Sequence, residues 1–85
     1  MRIFHTEKFF KKLKLLPRGI QELYKVNEEI FFANWKDSRL HTKKLKGRSA
    51  PFSFRVTQKY RVLFRLLDEN SVLFVSIGHR KDIYD

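Results

Sequence analysis

Arg55, Arg61, His79, Arg80 and Tyr84 are the side chains of this 85-residue sequence whose types and spacing could act on a phosphate. Three guanidiniums offer planar forks of donors that match phosphate oxygens. Histidine exchanges a proton near neutral pH, and tyrosine presents an aromatic face to a base together with a phenol. Such groups suffice for one metal-free reaction. RNA is cut by its own 2′-hydroxyl when something takes that proton, something stabilises the crowded phosphorane and something protonates the leaving oxygen. DNA has no internal nucleophile. The sequence contains no cysteine, no HExxH pattern and no metal-ligand spacing, so it calls for neither a thiol mechanism, nor a metal, nor a cofactor. The same residues have plainer uses. A histidine after a strand is commonly a surface residue, Tyr84 can pack a tail onto a sheet, Asp82 can pair with neighbouring cations, and Arg65 reads as an outer-face charge.

Bringing these residues together requires two hairpins. "FSFRV" (52–56), "YRVLFRLL" (60–67) and "SVLFVSI" (71–77) are rich in aromatic and β-branched residues and read as strands. With Thr57, Gln58 and Lys59 as a three-residue loop, Val56 faces Tyr60 and Arg55 faces Arg61. Like charges directly opposite are destabilising, so two arginines there, on the face away from Phe54 and Val62, call for a bound anion. With Asp68, Glu69 and Asn70 as the second loop, Leu67 faces Ser71 and Arg61 faces Ile77. Gly78, His79 and Arg80 then reach the end of the sheet that holds Arg55 and Arg61, and Gly78 permits a bend that frees the residues after it from the ladder.

Upstream lies the scaffold. Arg2 to Thr6 is a short strand, and Thr6 can cap a helix with Glu7 in its first turn. Phe9, Phe10, Leu13 and Leu16 keep helical spacing until Pro17 and Gly19 end that helix. Ile20, Leu23, Tyr24, Ile30 and Phe31 form one stripe on a second helix running from about Pro17 or Arg18 to about Asn34. The pair is a helical hairpin whose apolar side needs a sheet to cover. Asn34 to Pro51 has no clean period and reads as a long basic loop with room for a helical turn, anchored by Trp35, Leu40 and Leu45. The order is β-α-α-β-β-β, an α+β fold with a helical hairpin on a curved antiparallel sheet.

Residues 1–85 read as a single domain, with 42% hydrophobic residues and nine phenylalanines for its core. The net charge of +10 favours polyanions, and nucleic acid is the default partner class; an acidic protein could also neutralise it, and an inert basic surface is the bland alternative. Lys43, Lys44, Lys46 and Arg48 in the basic loop, with Lys59 and Lys81, supply sequence-blind attraction to RNA. The first residues contain no long apolar run and no stretch approaches the length of a membrane span, so a soluble cytoplasmic protein with no membrane partner is expected.

The runs "LKG" at 45–47, "FRV" at 54–56, "YRVLFRLLDEN" at 60–70 and "VLFVSIGHRKDIY" at 72–84 resemble the RelE/ParE superfamily of toxins from type II toxin–antitoxin systems, over essentially the whole chain. The resemblance implies the RelE-like microbial RNase fold. In the RelE branch it implies an endoribonuclease, an mRNA interferase, that enters the ribosomal A site and cleaves messenger RNA without a metal. Matched by motif, Arg55 takes the place of a basic residue suggested as proton acceptor or phosphate contact, and Arg61 that of the phosphate-stabilising arginine. Arg80 stands where an arginine acts on the leaving group, Tyr84 where an aromatic orients the nucleotide, and His79 is auxiliary. Ser53 occupies a position where some members carry another basic residue, and an arginine at 55 is a poor general base because it stays protonated. The implied partners are a cognate acidic antitoxin, messenger RNA and the ribosome, and operator DNA only through the toxin–antitoxin complex. The ParE branch shares the fold but poisons DNA gyrase, and an inactive nucleic-acid-binding module is the third reading. The arginine cluster with Tyr84 favours the RelE side.

Overall fold

The computed structural model describes residues 1–47 and 50–83. Strand β1 (Arg2–His5) leads into helix α1 (Glu7–Leu15) and helix α2 (Arg18–Ala33); a 3-10 turn (Ser38–Leu40) precedes strands β2 (Lys43–Lys44), β3 (Phe52–Arg55), β4 (Tyr60–Asp68) and β5 (Ser71–His79). The five strands form one sheet in the order β1-β5-β4-β3-β2, with β1 parallel to β5 and the remaining pairs antiparallel. The sheet is therefore mixed, because the helical hairpin carries the chain from the end of β1 back across one face before the meander begins. The α+β class expected from the sequence stands. The loop reading gains two pieces of structure: the 3-10 turn, and β2, which extends the sheet at its edge by pairing Lys43 with Ser53 and Lys44 with Phe52.

Local chemistry starts and stops the helices where the sequence suggests. Thr6 accepts from the Phe9 N–H at 3.0 Å through Oγ1 and donates to the Val75 carbonyl at 2.7 Å, so the cap of α1 is also a tie to β5. The helix ends at Leu15, and Gln21 Nε2 donates to the Leu16 carbonyl at 2.9 Å, satisfying a backbone acceptor left open there. Pro17 then precedes α2, where its missing N–H costs nothing.

The helices cover one face of the sheet through aromatic rings. Phe31 of α2 lies 5.2 Å from Phe54, 5.0 Å from Phe64 and 5.0 Å from Phe74, ring centre to ring centre, and all four are fully buried. Phe9 of α1 packs 5.4 Å from Tyr24 and 5.7 Å from Phe74. At the edge of this core His5 Nε2 lies 3.0 Å from Glu28 Oε2, and the Tyr24 hydroxyl donates to the same oxygen, joining β1 to α2 through a polar clasp.

The second hairpin corrects two expectations. Asp68, rather than Leu67, faces Ser71, because Asp68 Oδ1 accepts from the Asn70 N–H at 2.7 Å and shortens the loop to Glu69 and Asn70. Phe64 to Leu66 still pair as the sequence predicts, with Phe74, Leu73 and Val72. Leu67 on β4 and Val75 on β5 have no partner, so each strand carries one bulge, and beyond Val75 the register advances. Arg61 therefore faces Gly78, not Ile77. Nor does the chain leave the ladder at Gly78: β5 continues to His79, and the bend comes after it.

Burial, then the hydrogen bond and negative charge of Glu28, push the Tyr24 phenol well above its ordinary pKa. A raised phenol pKa contributes stability that is complete below the unfolded value of about 10 and is lost as pH rises beyond it. Urea denaturation is therefore expected to show the wild type losing stability between about pH 9 and pH 11, a loss that Tyr24→Phe shows to a smaller extent.

Candidate nucleic-acid interface

Because side chains alternate along a strand, seating Phe54, Val62 and Phe64 under the helices sends Ser53, Arg55, Arg61 and Leu63 to the opposite face. Arg55 faces Arg61 directly, as the sequence register predicts. The Val56 N–H donates to the Tyr60 carbonyl at 2.9 Å, which makes the neighbouring Arg55 and Arg61 pair the closely spaced kind, with Cα atoms about 4.5 Å apart. Two cations held that close repel each other. Arg61 directs one guanidinium nitrogen to the Gln58 carbonyl at 3.2 Å, while its Nε is buried with no hydrogen-bond partner among the described residues. An anion between the two arginines would answer both the repulsion and the orphaned donor.

Helix α2 reaches this end of the sheet as well. Asn27 Nδ2 donates to the carbonyls of Arg55 at 3.0 Å and Val56 at 2.9 Å, fastening the end of β3 from the helix side. Sequence reading passed over Asn27 because a lone polar residue in a helix carries no periodic signal. The turn that follows is closed by Thr57, whose hydroxyl accepts from the N–H groups of Lys59 at 3.1 Å and Tyr60 at 3.2 Å. The Arg80 N–H then donates to the Lys59 carbonyl at 2.7 Å, which ties the residues after β5 to the turn beside Arg61 and leaves the Arg80 side chain exposed.

His79 does not join the arginines. It faces Tyr60 across the ladder, with ring centres 5.4 Å apart and planes nearly perpendicular, on the side of the sheet that Val62 and Ile77 share with the helices. There it lines a cleft of about 310 Å³ with Lys12, Leu16, Pro17, Tyr60 and Ile83. Its Nδ1 accepts from the Lys81 N–H at 3.1 Å. His79 thus shares an end of the sheet with Arg55 and Arg61 but not a face, because the Val75 bulge places it opposite Tyr60. Tyr84 and Arg48 lie outside the described residues. Lys43, Lys44, Lys46, Lys59 and Lys81 are all exposed, Lys43 and Lys44 on the edge strand beside β3.

A second cleft, of about 280 Å³, opens beside Arg55 and is lined by Arg39, His41, Val56, Thr57 and Gln58. Arg39 and His41 come from the loop between α2 and β3, and the sequence reading singled out neither. Asp37 caps the 3-10 turn, accepting from the Arg39 backbone N–H at 2.9 Å and from its guanidinium at 3.0 and 2.9 Å. Leu40 is fully buried, and His41 closes the turn with a left-handed φ of 49°, its N–H donating to the Ser38 carbonyl at 3.2 Å. The available signal was the capping aspartate three residues before an apolar anchor.

No protein-family model matches the chain and no curated protein matches it. Solved structures do. A chain of the RelB-RelE antitoxin-toxin complex from Methanococcus jannaschii is 27% identical, with a TM-score of 0.77 over 96% of this chain and 95% of that one. YafQ from E. coli is 14% identical with a TM-score of 0.80, covering 100% of both chains. A YoeB/ParE toxin from Agrobacterium tumefaciens is 13% identical with a TM-score of 0.78, over 94% of this chain and 99% of that one. The fold is the one these RelE-like toxin structures share. The 27% identical chain from Methanococcus jannaschii supports a type II toxin of the RelE/ParE superfamily, in agreement with the motifs at 45–47, 54–56, 60–70 and 72–84.

The hydrogen bonds from the Arg39 side chain and backbone hold the Asp37 carboxyl at a pKa of about 2. A depressed carboxyl pKa contributes stability above the unfolded value of about 3.9, lost as pH falls through the folded one. The turn carrying His41 is therefore expected to stay closed at neutral pH and to loosen only as pH drops from about 4 toward 2. Carboxyl chemical shifts should place the Asp37 midpoint well below those of exposed aspartates, and Arg39→Ala should raise it toward the ordinary range, with the backbone hydrogen bond still holding it somewhat below.

Proposed function

We propose that this protein is the toxin of a type II toxin–antitoxin system and acts in the cytoplasm as a ribosome-dependent messenger RNA endonuclease. The observation that carries the reading is the Arg55 and Arg61 pair, set face to face on the open side of the sheet, with a buried Nε on Arg61 that has no partner among the described residues. That arrangement costs stability without an anion and suits a phosphate under attack. Arg61 stabilises the pentacoordinate phosphorane, Arg55 contacts the phosphate, Arg80 steadies the departing oxygen, and Tyr84 stacks on the nucleotide. No metal or other cofactor enters this mechanism. Exposed Lys43, Lys44, Lys46, Lys59 and Lys81, with Arg48 of the same basic loop by sequence, add positive charge that attracts the ribosomal RNA around an A-site messenger.

An antitoxin is the natural inhibitor of such a surface. The structural relatives include the RelB-RelE and DinJ-YafQ toxin-antitoxin complexes. A net charge of +10 favours an acidic antitoxin segment that folds over the basic face. Among the described residues no helix is long and apolar enough to cross a membrane.

A translation extract tests the reading. Primer extension is expected to show cuts within translated messages. Arg61→Ala and Arg80→Ala, in protein that remains folded, should each reduce cutting by about 100-fold or more, the usual cost of removing a group that stabilises transition-state charge. Intact messages accompanied by trapped gyrase–DNA cleavage complexes would establish the ParE type of activity instead. If neither appears and expression harms no host, the protein only binds nucleic acid.

A further inference from the structure

The phosphate chemistry proposed above still needs a base. Arginines stay protonated across the physiological range, so neither Arg55 nor Arg61 can take the 2′-hydroxyl proton efficiently. Three histidines are available in the sequence. His5 is engaged with Glu28 and Tyr24 in the clasp between β1 and α2. His79 faces the helices beside Tyr60, with its Nδ1 already accepting from Lys81. His41 alone of the three lines the cleft that contains Arg55.

His41 is also held in place. Its backbone sits in the left-handed region, sparsely populated outside glycine and asparagine, and such positions persist only where the surroundings over-determine them. Here they do. On one side Leu40 is buried and Arg39 is clamped to Asp37; on the other, the Thr42 hydroxyl donates to the Trp35 carbonyl at 2.7 Å. The imidazole-bearing residue is exposed between two fastened neighbours. The charged groups lining the cleft around it are the guanidiniums of Arg39 and Arg55, with Asp37 spent on Arg39; no carboxylate lines the cleft among the described residues.

We propose that His41 is the catalytic proton acceptor of this site, an inference that rests on the RNA-cleavage reading. A ring nitrogen of His41 takes the 2′-hydroxyl proton as the 2′-oxygen bonds to phosphorus beside Arg55 and Arg61. The bond from phosphorus to the 5′-oxygen then breaks, the departing oxygen takes a proton from water, and the imidazolium returns its proton to solvent. The products are a 2′,3′-cyclic phosphate and a 5′-hydroxyl, with no co-reactant beyond water. The long loop between α2 and β3 thereby gains a role besides carrying lysines.

The left-handed backbone makes the test clean, since glycine and asparagine both adopt it readily. Single-turnover cleavage of a messenger on purified bacterial ribosomes is measured for the wild type, His41→Gly and His41→Asn across pH, with and without added imidazole. His41→Gly is expected to slow cleavage by about 100-fold or more and to flatten the rising limb of the pH profile. Added imidazole should recover at least about tenfold of that loss in His41→Gly and leave the wild type unchanged, because a merely structural role would not respond to it. His41→Asn should be as slow as His41→Gly. A variant within about threefold of wild type overturns the inference while the RNA-cleavage reading stands. So does a loss that imidazole does not relieve with the pH profile unaltered. Absence of cleavage by the wild type itself overturns both.

Discussion

Phe31 sets its ring against Phe54, Phe64 and Phe74, one from each of the strands β3, β4 and β5, and this contact decides which face of the sheet is left to solvent. Once those three phenylalanines are beneath α2, the period of two along each strand sends Arg55 and Arg61 to the other side. The position of the basic face is thus a consequence of where the aromatic core sits. Burying phenylalanine stabilises by about 1.5–3 kcal/mol per side chain, enough to hold two like charges opposite each other.

The face is then edited by one residue. Val75 bulges out of β5, and everything beyond it moves one step against β4. Gly78 arrives opposite Arg61, and a Cβ there would meet no heavy atom within 4 Å. His79 arrives opposite Tyr60 and is turned toward the helices. A second bulge, beyond the one at Leu67 that offsets the short hairpin loop, therefore separates a histidine from the arginines it follows in sequence.

Helix and site are joined at the end of β3. Asn27 takes the carbonyls of Arg55 and Val56, so the strand end is gripped from α2 while its side chains face away. From the other direction the 37–42 segment leans on buried Leu40 and brings Arg39 and His41 to the same strand end. The site is assembled from the β3–β4 turn, the loop after α2, anchored by buried Leu40, and the residues following β5, anchored by buried Ile83. Each is positioned by a few hydrogen bonds to the rigid sheet and helices.

Much of this was legible in the residues. Helical spacing in 9–31, the strand-forming runs at 52–56, 60–67 and 71–77, the facing of Arg55 and Arg61, and the likeness to RelE/ParE toxins all follow from short-range pattern and turn chemistry, which one sequence carries in full. What tertiary structure alone decided was phase and proximity. Asp68 shortened a loop through its side chain, the Val75 bulge brought Ile77 to the core face alongside Phe74, and His79 changed faces as a result. His41 came beside Arg55 because Leu40 is buried beneath a loop without any period to read. The physical reason is common to these cases: a strand's periodicity is local, whereas a bulge or an anchored loop is fixed by how the whole core packs, and no spacing within the segment reports it.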